Sequence, residues 1–425
     1  MVRSTNAAAA RPATMGAARP RGDSREIEVT PVTAHALSLD RLLGELERLV
    51  SCESPSTDTA ALARSAALVA EIGEGYLGVA PEIIVLDDRP HLRWRFGPSA
   101  DSRVLVLGHH DTVWPIGTLA EFPFEVREAT GEDGSVGQVA TGPGSFDMKA
   151  GLLQAFAALS LIEDRTGVTV LVTADEELGA PTSRALIESE ARAAGATLVF
   201  EASADRGAVK TARKGMSRYT VRIRGRAAHA GLEPWKGVNA TVEVAAVVLA
   251  IAVMSGGPTG TTVTPTLLSS GRSGNTVPDE AVLVVDVRAT SAADQQRIFD
   301  QLTALLPSIM GAQIEVTQGA THDPLEPQHS SALYAELVAA AESAGLAVPG
   351  TASVGGASDG NIAAGVGSLV LDGLGAIGAG AHAPGEYVRL EPMIERTVLV
   401  SALIERLLAP ARPASPPDSE AADAR

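Results

Sequence analysis

The sequence has little cysteine, no long apolar run and no basic cluster, and each shortage excludes a class of protein. Cys52 is the only cysteine among the 425 residues, so the chain cannot form an internal disulfide. No apolar run approaches the roughly 18 residues that suggest a membrane-spanning helix. The formal net charge is -17 and no segment is rich in Lys and Arg, which argues against nucleic acid and anionic membranes because both are polyanionic. Small solutes and metal ions are therefore the expected partners.

The two ends of the chain also lack the features of ordered or secreted segments. Residues 1–25 are rich in Ala, Arg, Pro and Gly and contain no apolar stretch of the kind that a secretory signal needs. We therefore expect a disordered lead over residues 1–35 and a cytoplasmic location, although the arginines alone leave a transit peptide open. The Pro-rich residues 411–425 are expected to form a disordered tail.

Apolar patterning predicts two architectures within a chain that is too long for one ordinary core. Over residues 36–212, helical patterns such as "ALSLDRLLGELERLV" alternate with apolar runs such as "EIIVLD" and "RVLVLG". The runs predict buried strands of an α/β sheet with helices on both faces. Residues 213–323 follow a β-α-β-β-α-β order, which predicts a ferredoxin-like unit. Because the α/β pattern resumes over 324–410, the small unit is predicted to be an insertion into the first domain.

Carboxylates and imidazoles follow the predicted buried strands. They are His109 and Asp111 in "GHHDTV", Asp147 in "GPGSFDMKAG", Asp175, Glu176 and Glu177 in "TADEELG", Glu201 in "VFEAS" and His382 in "GAGAHAPGEYV". Because the carboxyl ends of strands in an open α/β sheet line one crevice, we expect these groups to converge. Two imidazoles and three carboxylates suit zinc or a similar divalent ion, and five such ligands can hold two ions if one carboxylate bridges them. Of Glu176 and Glu177, one can then bind metal while the other acts as a base.

Each motif also has an ordinary structural interpretation. An isolated His-x-Asp is usually a hydrogen-bonded structural pair, "DEE" at a helix start is a favourable charge cluster, and "GPG" and "GG" are turns. The functional interpretation depends on their joint occurrence at the ends of successive strands, in a chain with only eight histidines.

The motif set resembles one known family over roughly residues 40 to 408. Together with "GRAAHAGLEPWKGVNA" and "GGASD", the motifs above are similar to those of the M20 co-catalytic metallopeptidases, in particular the glutamate carboxypeptidase (carboxypeptidase G) branch. The resemblance implies an α/β metallopeptidase catalytic domain with a mixed sheet between helices, plus an inserted ferredoxin-like α+β dimerisation (lid) domain. It also implies a cis peptide bond between Asp147 and Met148.

The resemblance assigns roles to the residues at the strand ends. His109 and Glu201 would hold one zinc ion, Glu177 and His382 the other, and Asp147 would bridge them. Asp111 would orient His109 from behind, and Glu176 would be the general base.

A second group of residues is assigned to the substrate. His229, supplied by a partner subunit, would polarise the scissile carbonyl, and Asn275 and Arg288 would face the substrate from the inserted domain. Arg288 suits a carboxylate clamp, with a surface salt bridge as the competing use. Gly356 lies in the "GGASD" loop, which would hold a free carboxylate.

Two neighbours of the metal motif leave alternatives open. Trp114 could pack against an aromatic acyl group or belong to the core. His110 is interpreted mainly as a packing residue, with pocket lining as the alternative.

The sequence therefore predicts an amidohydrolase with two Zn²⁺ ions, for which Co²⁺ or Mn²⁺ could substitute. Its substrate would be an N-acyl amino acid or short peptide that loses its C-terminal amino acid, and the enzyme would be a homodimer. An M20 dipeptidase and an N-acetyl or succinyl amino-acid deacylase are the alternatives. Glu201 resembles the carboxypeptidase, deacetylase and desuccinylase members, whereas di- and tripeptidase members tend to carry Asp there. A non-catalytic binding protein on the same fold is the remaining alternative.

Overall fold

A computed structural model describes residues 37–130, 136–255 and 260–410. The predicted lead (residues 1–35) and tail (residues 411–425) lie outside the described residues. The α-helices of the described residues are α1 (Leu39–Ser51), α2 (Thr59–Leu77), α3 (Ala150–Ser160), α4 (Arg184–Ala193), α5 (Ala240–Ala252), α6 (Ala292–Thr303), α7 (Pro327–Ala344), α8 (Asp359–Gly365) and α9 (Glu391–Leu408). In the described ranges, no helix has the length and apolar character that crossing a membrane requires.

Within the described ranges, the β-strands fall into five sheets. In chain order they are β1 (Glu82–Leu86), β2 (Arg89–Arg95), β3 (Val104–His109), β4 (Glu125–Thr130), β5 (Val136–Thr141), β6 (Val168–Thr173), β7 (Ala196–Val199), β8 (Val209–Arg213), β9 (Gly215–Arg224), β10 (Ala228–His229), β11 (Thr262–Ser270), β12 (Thr276–Val277), β13 (Glu280–Ala289), β14 (Gln313–His322), β15 (Thr351–Val354), β16 (Leu369–Leu371), β17 (Gly378–Ala379) and β18 (Tyr387–Arg389).

The first sheet is mixed and has the order β1-β2-β6-β3-β7-β16. Strands β6, β3, β7 and β16 run parallel, β2 is antiparallel to its neighbour β6, and β1 is antiparallel to β2. The pairing of β3 runs from Val104↔Val168 to His109↔Thr173 on β6, and to Leu107↔Val199 on β7. Because the parallel strands end at the same edge, the segments that follow β3, β6 and β7 meet there.

The apolar runs of the central strands are explained by burial on both faces. Val104 and Val106 of β3 pack in the cluster that contains α1, α2, α3, α7 and α9. Leu105 and Leu107 point the other way and pack with α4 and α8. Successive residues of a strand face opposite sides of the sheet, so a strand between two helical layers must be apolar throughout. The predicted α/β class with helices on both faces is confirmed.

The inserted unit has a four-stranded antiparallel sheet in the order β11-β13-β9-β14. Helices α5 and α6 cover one face, where Val221 and Ile223 of β9 pack against Val244 and Ile298. This order and the β-α-β-β-α-β connectivity confirm the ferredoxin-like prediction. The chain then returns to the first architecture, because β16 pairs with β7 and β18 pairs with β5.

Three details differ from the sequence prediction. Strand β1 is an edge strand rather than a buried one, with Ile83 and Val85 exposed. The pattern "ADQQRIFDQLTALLPSIM" predicts a helix up to residue 310, but helix α6 ends at Thr303. Pro307 cannot continue the helix hydrogen bonds, and the buried Glu243 carboxylate accepts the N–H groups of Ser308 and Ile309. Helix α2 and strands β2, β4 and β5 are further elements that the apolar patterning did not predict.

Candidate metal centre at the carboxyl edge of the first sheet

Five segments bring their side chains to one place at the carboxyl edge of the first sheet. His109 is the last residue of β3, Glu176 and Glu177 form a short 3-10 turn just after β6, and Glu201 follows β7 by two residues. Asp147 lies between β5 and α3, and His382 lies between β17 and β18. The peptide bond between Asp147 and Met148 is cis, as the resemblance implied.

His109 faces one set of carboxylates. Its Nε2 lies 3.3 Å from Asp147 Oδ1 and 3.3 Å from Glu201 Oε1, while Glu176 Oε2 is farther away at 4.0 Å. The side chains of His109 and Glu201 are 1% and 8% exposed, so the polar contacts are largely shielded from water.

His382 faces a second set that shares Asp147. Its Nε2 lies 3.3 Å from Asp147 Oδ2 and 3.1 Å from Glu177 Oε2. The two oxygens of Asp147 are therefore directed at two different imidazoles, which is the arrangement expected of a bridging carboxylate.

Mutual distance alone does not separate ligand from base. The possible ligand atoms of His109, Glu176 and Glu201 all lie within 4.8 Å of one another, and so do those of His109, Asp147 and Glu177. The individual contacts do distinguish them, because Glu176 lies farther from His109 Nε2 than either Asp147 or Glu201 does.

The donor set fits a divalent metal ion. His109 Nδ1 lies 3.0 Å from the main-chain oxygen of Asp111, which can only accept, so Nδ1 carries the proton and Nε2 offers a lone pair. His109 Nε2 is buried and has no hydrogen-bond partner. Such an orphaned nitrogen among carboxylates is what a metal ligand leaves when no ion is present.

The electrostatics of the cluster favour a cation. Burial alone would lower the pKa of His109, but the surrounding carboxylates of Asp111, Asp147 and Glu201 raise it well above the usual value, because they stabilise a positive charge at this position. Burial, together with the nearby charge of Glu201, raises the pKa of Glu176 well above its usual range. The carboxylates outnumber the imidazoles, and buried negative charge is stable only when it is paired.

Asp111 holds the turn after β6 in place. Its carboxylate accepts hydrogen bonds from the Ser56 hydroxyl at 2.6 Å and from the main-chain N–H groups of Glu176 at 3.3 Å and Glu177 at 3.2 Å. The carboxylate lies 3.4 Å from His109 Nδ1, slightly farther than the Asp111 carbonyl. Asp111 therefore contacts His109 through both its main chain and its side chain.

His110 and Trp114 have structural partners. Both ring nitrogens of the buried His110 are occupied, Nδ1 by the Ser65 hydroxyl at 3.1 Å and Nε2 by the Pro90 carbonyl at 3.0 Å. The indole N–H of Trp114 donates to Glu386 over 2.9 Å. These contacts agree with the packing interpretation of His110, whereas Trp114 is half-buried and lies outside the buried apolar clusters of the described residues.

The predicted substrate residues lie apart from the cluster. His229 is exposed, and its Nδ1 accepts the main-chain N–H groups of Gly231 and Leu232, both at 3.1 Å. Asn275 is its neighbour, because the Asn275 carbonyl accepts the N–H of Ala230.

Arg288 and Gly356 are also engaged within their own regions. Arg288 forms an ion pair with Asp286 at 2.9 Å, which is the competing use named above, and the Gly356 carbonyl accepts a hydrogen bond from Arg213 at 3.1 Å. In the described parts of the chain, no polar contact joins His229, Asn275 or Arg288 to the metal cluster.

A buried ion pair behind Glu201 was not found from the sequence. Arg213 donates to both oxygens of Asp372, at 2.7 and 3.1 Å, and to Glu201 Oε2 at 3.4 Å. Its main chain also pairs with Leu325, where the chain enters and leaves the inserted unit. Arg213 and Asp372 are 159 residues apart in sequence, so no local pattern could reveal the pair.

Replacing Arg213 by Met is expected to lower the free energy of unfolding by about 3–5 kcal/mol, because two buried carboxylates lose their counter-charge. Urea denaturation measures the change. Arg406→Met is the matched control, since it removes an ion pair with Glu336 whose side chains are 39% and 45% exposed, and such pairs contribute about 0–1 kcal/mol. A loss for Arg213→Met no larger than that of the control would contradict the structural role.

Comparisons with known proteins agree with this geometry. The chain matches the family model "Peptidase family M20/M25/M40" over residues 105–406. It is 30% identical over 311 residues to Carboxypeptidase G2 of Pseudomonas sp. (strain RS-16), a match that covers 71% of this chain and 73% of that protein.

Solved structures share the fold. Aminopeptidase PepT from Bacillus cereus superposes with a TM-score of 0.65 at 22% identity, covering 88% of this chain and 99% of that one. An M20 family metallo-carboxypeptidase from Sulfolobus solfataricus gives a TM-score of 0.64 at 15% identity, covering 87% and 99%. The family match and the sequence identity show that the chain belongs to peptidase family M20/M25/M40. Together with the cluster of possible metal ligands, they identify it as a metal-dependent hydrolase.

Proposed function

We propose that this chain is a di-zinc amidohydrolase that releases the C-terminal amino acid from N-acyl amino acids or short peptides. The proposal rests mainly on the position of Asp147. Its Oδ1 lies 3.3 Å from His109 Nε2, and its Oδ2 lies 3.3 Å from His382 Nε2. His109 and Glu201 would hold one ion, Glu177 and His382 the other, and Asp147 both. Co²⁺ or Mn²⁺ could replace zinc at such a site.

The bound ions would supply an acidified water molecule and a polarised amide carbonyl. Glu176 would take a proton from that water and return it to the leaving amine. The position of Glu176 supports this role. Asp111 accepts the main-chain N–H groups of Glu176 and Glu177 and so fixes both residues. The Glu177 side chain contacts His382, whereas the Glu176 side chain faces His109.

The free carboxylate of the substrate would be bound by the loop that contains Gly356 and by Arg288, with Asn275 alongside. The name of the relative Carboxypeptidase G2 supports release of a C-terminal amino acid. Arg288 would have to exchange Asp286 for the substrate carboxylate, which a guanidinium can bind through two parallel hydrogen bonds.

We further propose that residues 36–212 and 324–410 form the catalytic domain and that residues 213–323 form a dimerisation or lid domain. The outer side of α5 exposes Val242 and Leu249, at 55% and 71%, and Val253 directly after the helix is 81% exposed. The edge strand β11 exposes Leu267 and Leu268. An apolar helix face beside an unpaired strand edge is typical of a surface that a second copy covers.

His229 would act on the active site of the partner subunit. Because its Nδ1 accepts two main-chain N–H groups, the neutral imidazole carries its proton on Nε2. This exposed N–H can donate to the carbonyl oxygen of a substrate bound to the other copy, where negative charge develops during attack.

A panel of N-acyl amino acids, varied separately in acyl group and amino acid, tests the proposed activity. We expect the zinc-loaded enzyme to release the C-terminal amino acid and to leave analogues with an amidated C-terminus intact. Preferred cleavage of dipeptides with a free amino group would favour the dipeptidase alternative, and preferred cleavage of N-acetyl or N-succinyl amino acids would favour the deacylase. An absence of turnover on every member of the panel would contradict the proposal and favour a binding protein.

A further inference from the structure

Glu386 is a fully buried carboxylate that the proposed mechanism does not use. Its two oxygens accept four hydrogen bonds, and every donor is an N–H group. Oε1 accepts the main-chain N–H of Phe146 at 2.8 Å and of Asp147 at 2.9 Å. Oε2 accepts the main-chain N–H of Gly144 and the indole N–H of Trp114, both at 2.9 Å.

These contacts join three segments, each of which also presents a residue of the metal cluster. Trp114 follows β3 and His109, residues 144–147 lead to Asp147, and Glu386 itself lies four residues after His382. A single side chain therefore spans the three segments that supply both imidazoles and the shared carboxylate.

The strand pairing explains how Glu386 reaches these segments. Strand β18 begins immediately after Glu386, and Tyr387 pairs with Thr141 at the end of β5. The segment that carries Asp147 leaves β5 at the point where Glu386 enters β18. The N–H of Asp147 itself is bound by Glu386, so the contact fixes the main chain from which the bridging side chain projects.

We infer that Glu386 is a positioning residue of the metal centre, which holds the main chain of residues 144–147 so that the oxygens of Asp147 face His109 and His382. This inference rests on the proposed function in one respect, the bridging role of Asp147. Carboxylates and carbonyls that orient metal ligands in this way typically change metal affinity when they are replaced.

The chemistry of the site requires a carboxylate. All four neighbours are donors, and an ionised carboxylate offers only acceptors. Glutamine has nearly the same shape, but its NH₂ group must face two N–H donors whichever way the amide is turned. Glu386→Gln therefore loses two of the four hydrogen bonds. Its NH₂ group faces either the N–H groups of Phe146 and Asp147 or those of Gly144 and the Trp114 indole.

The test is zinc affinity, measured on the full chain by competition with a chelator, together with the visible absorption of the cobalt-loaded protein. Glu386→Gln is expected to weaken zinc binding by about 10–100-fold and to alter the cobalt spectrum, because the ligand geometry changes.

Glu243→Gln is the matched control. Glu243 is also a buried carboxylate that accepts two main-chain N–H groups, from Ser308 at 2.8 Å and Ile309 at 2.7 Å, but it lies on α5 in the inserted unit. We expect this variant to lose stability while its zinc affinity and cobalt spectrum stay unchanged. A purely structural role for Glu386 would give both variants the same result.

If the Glu386→Gln variant does not fold, Glu386→Asp is used for the same zinc and cobalt measurements. It keeps the charge but is one methylene shorter, so it cannot hold both the loop and the indole, and we expect weaker zinc binding and an altered spectrum. A folded variant at position 386 with the zinc affinity and cobalt spectrum of the parent would overturn the inference and leave the proposed function standing. A parent protein that binds no divalent ion would overturn both.

Discussion

Glu176→Gln is expected to lower the turnover of the best amide substrate by about 10²–10⁴-fold while the metal content stays that of the parent. The amide cannot accept a proton from water, and Glu176 is not one of the residues proposed to hold an ion. The measurement is kcat together with metal ions per chain after dialysis.

Asp175→Asn is the control for this variant, since it makes the same chemical change one residue earlier. The Asp175 carboxylate is buried but accepts hydrogen bonds from Thr182 and Ser183, away from the cluster. We expect it to lower stability and to leave kcat of the folded protein near that of the parent. If Glu176→Gln lost an ion, or turned over at nearly the parental rate, its assignment as the base would be wrong.

Mixing two inactive variants, Glu176→Gln and His229→Ala, is expected to restore activity. After random subunit exchange about half of the dimers carry one chain of each kind, and one of their two sites has both Glu176 and a partner His229, so about one quarter of the parental activity should return. We expect this result because His229 is an exposed residue whose side-chain hydrogen bonds go only to the nearby main-chain N–H groups of Gly231 and Leu232 within the described residues.

Subunit exchange must be demonstrated separately, by mass measurement of dimers that carry a tag on one variant. Each variant alone, carried through the same exchange, serves as the control. A mixture that contains heterodimers but no activity would show that His229 acts on its own chain or not at all. A fully active monomer would contradict the proposed dimer as well.

Local patterns were sufficient to predict the sheet edge and the residues on it. The parallel strands β3, β6 and β7 are apolar throughout because both faces are covered, and this made their ends visible in the sequence. His109, the pair Glu176 and Glu177, and Glu201 each follow such a strand closely. The geometry of parallel strands then brings them together without any knowledge of distant contacts.

The residues that support the site could not be predicted in the same way. Glu386 contacts Phe146 across 240 positions of the sequence, and Arg213 contacts Asp372 across 159. Neither pair leaves a periodic signal, because each is a single contact between residues that are far apart in the sequence. A carboxylate four residues after His382 was the one visible cue to Glu386.

The strand and helix errors have local causes. Strand β1 looked buried because it is apolar, but an edge position leaves Ile83 and Val85 open to solvent. Helix α6 looked longer because the apolar pattern continues past Thr303, whereas Pro307 and the carboxylate of Glu243 end it. In both cases the apolar pattern predicted the type of element, but it did not predict the exposure of β1 or the residue at which α6 ends.

Zinc reconstitution of the metal-free protein tests the central claim most directly. The ions are removed with a chelator, zinc is added back in steps, and release of the C-terminal amino acid from the best substrate is followed against bound zinc per chain. We predict no turnover without metal and a rise that reaches its maximum at two ions per chain, because Asp147 joins two ligand sets. Turnover by the metal-free protein, or full activity with a single bound ion, would contradict the account.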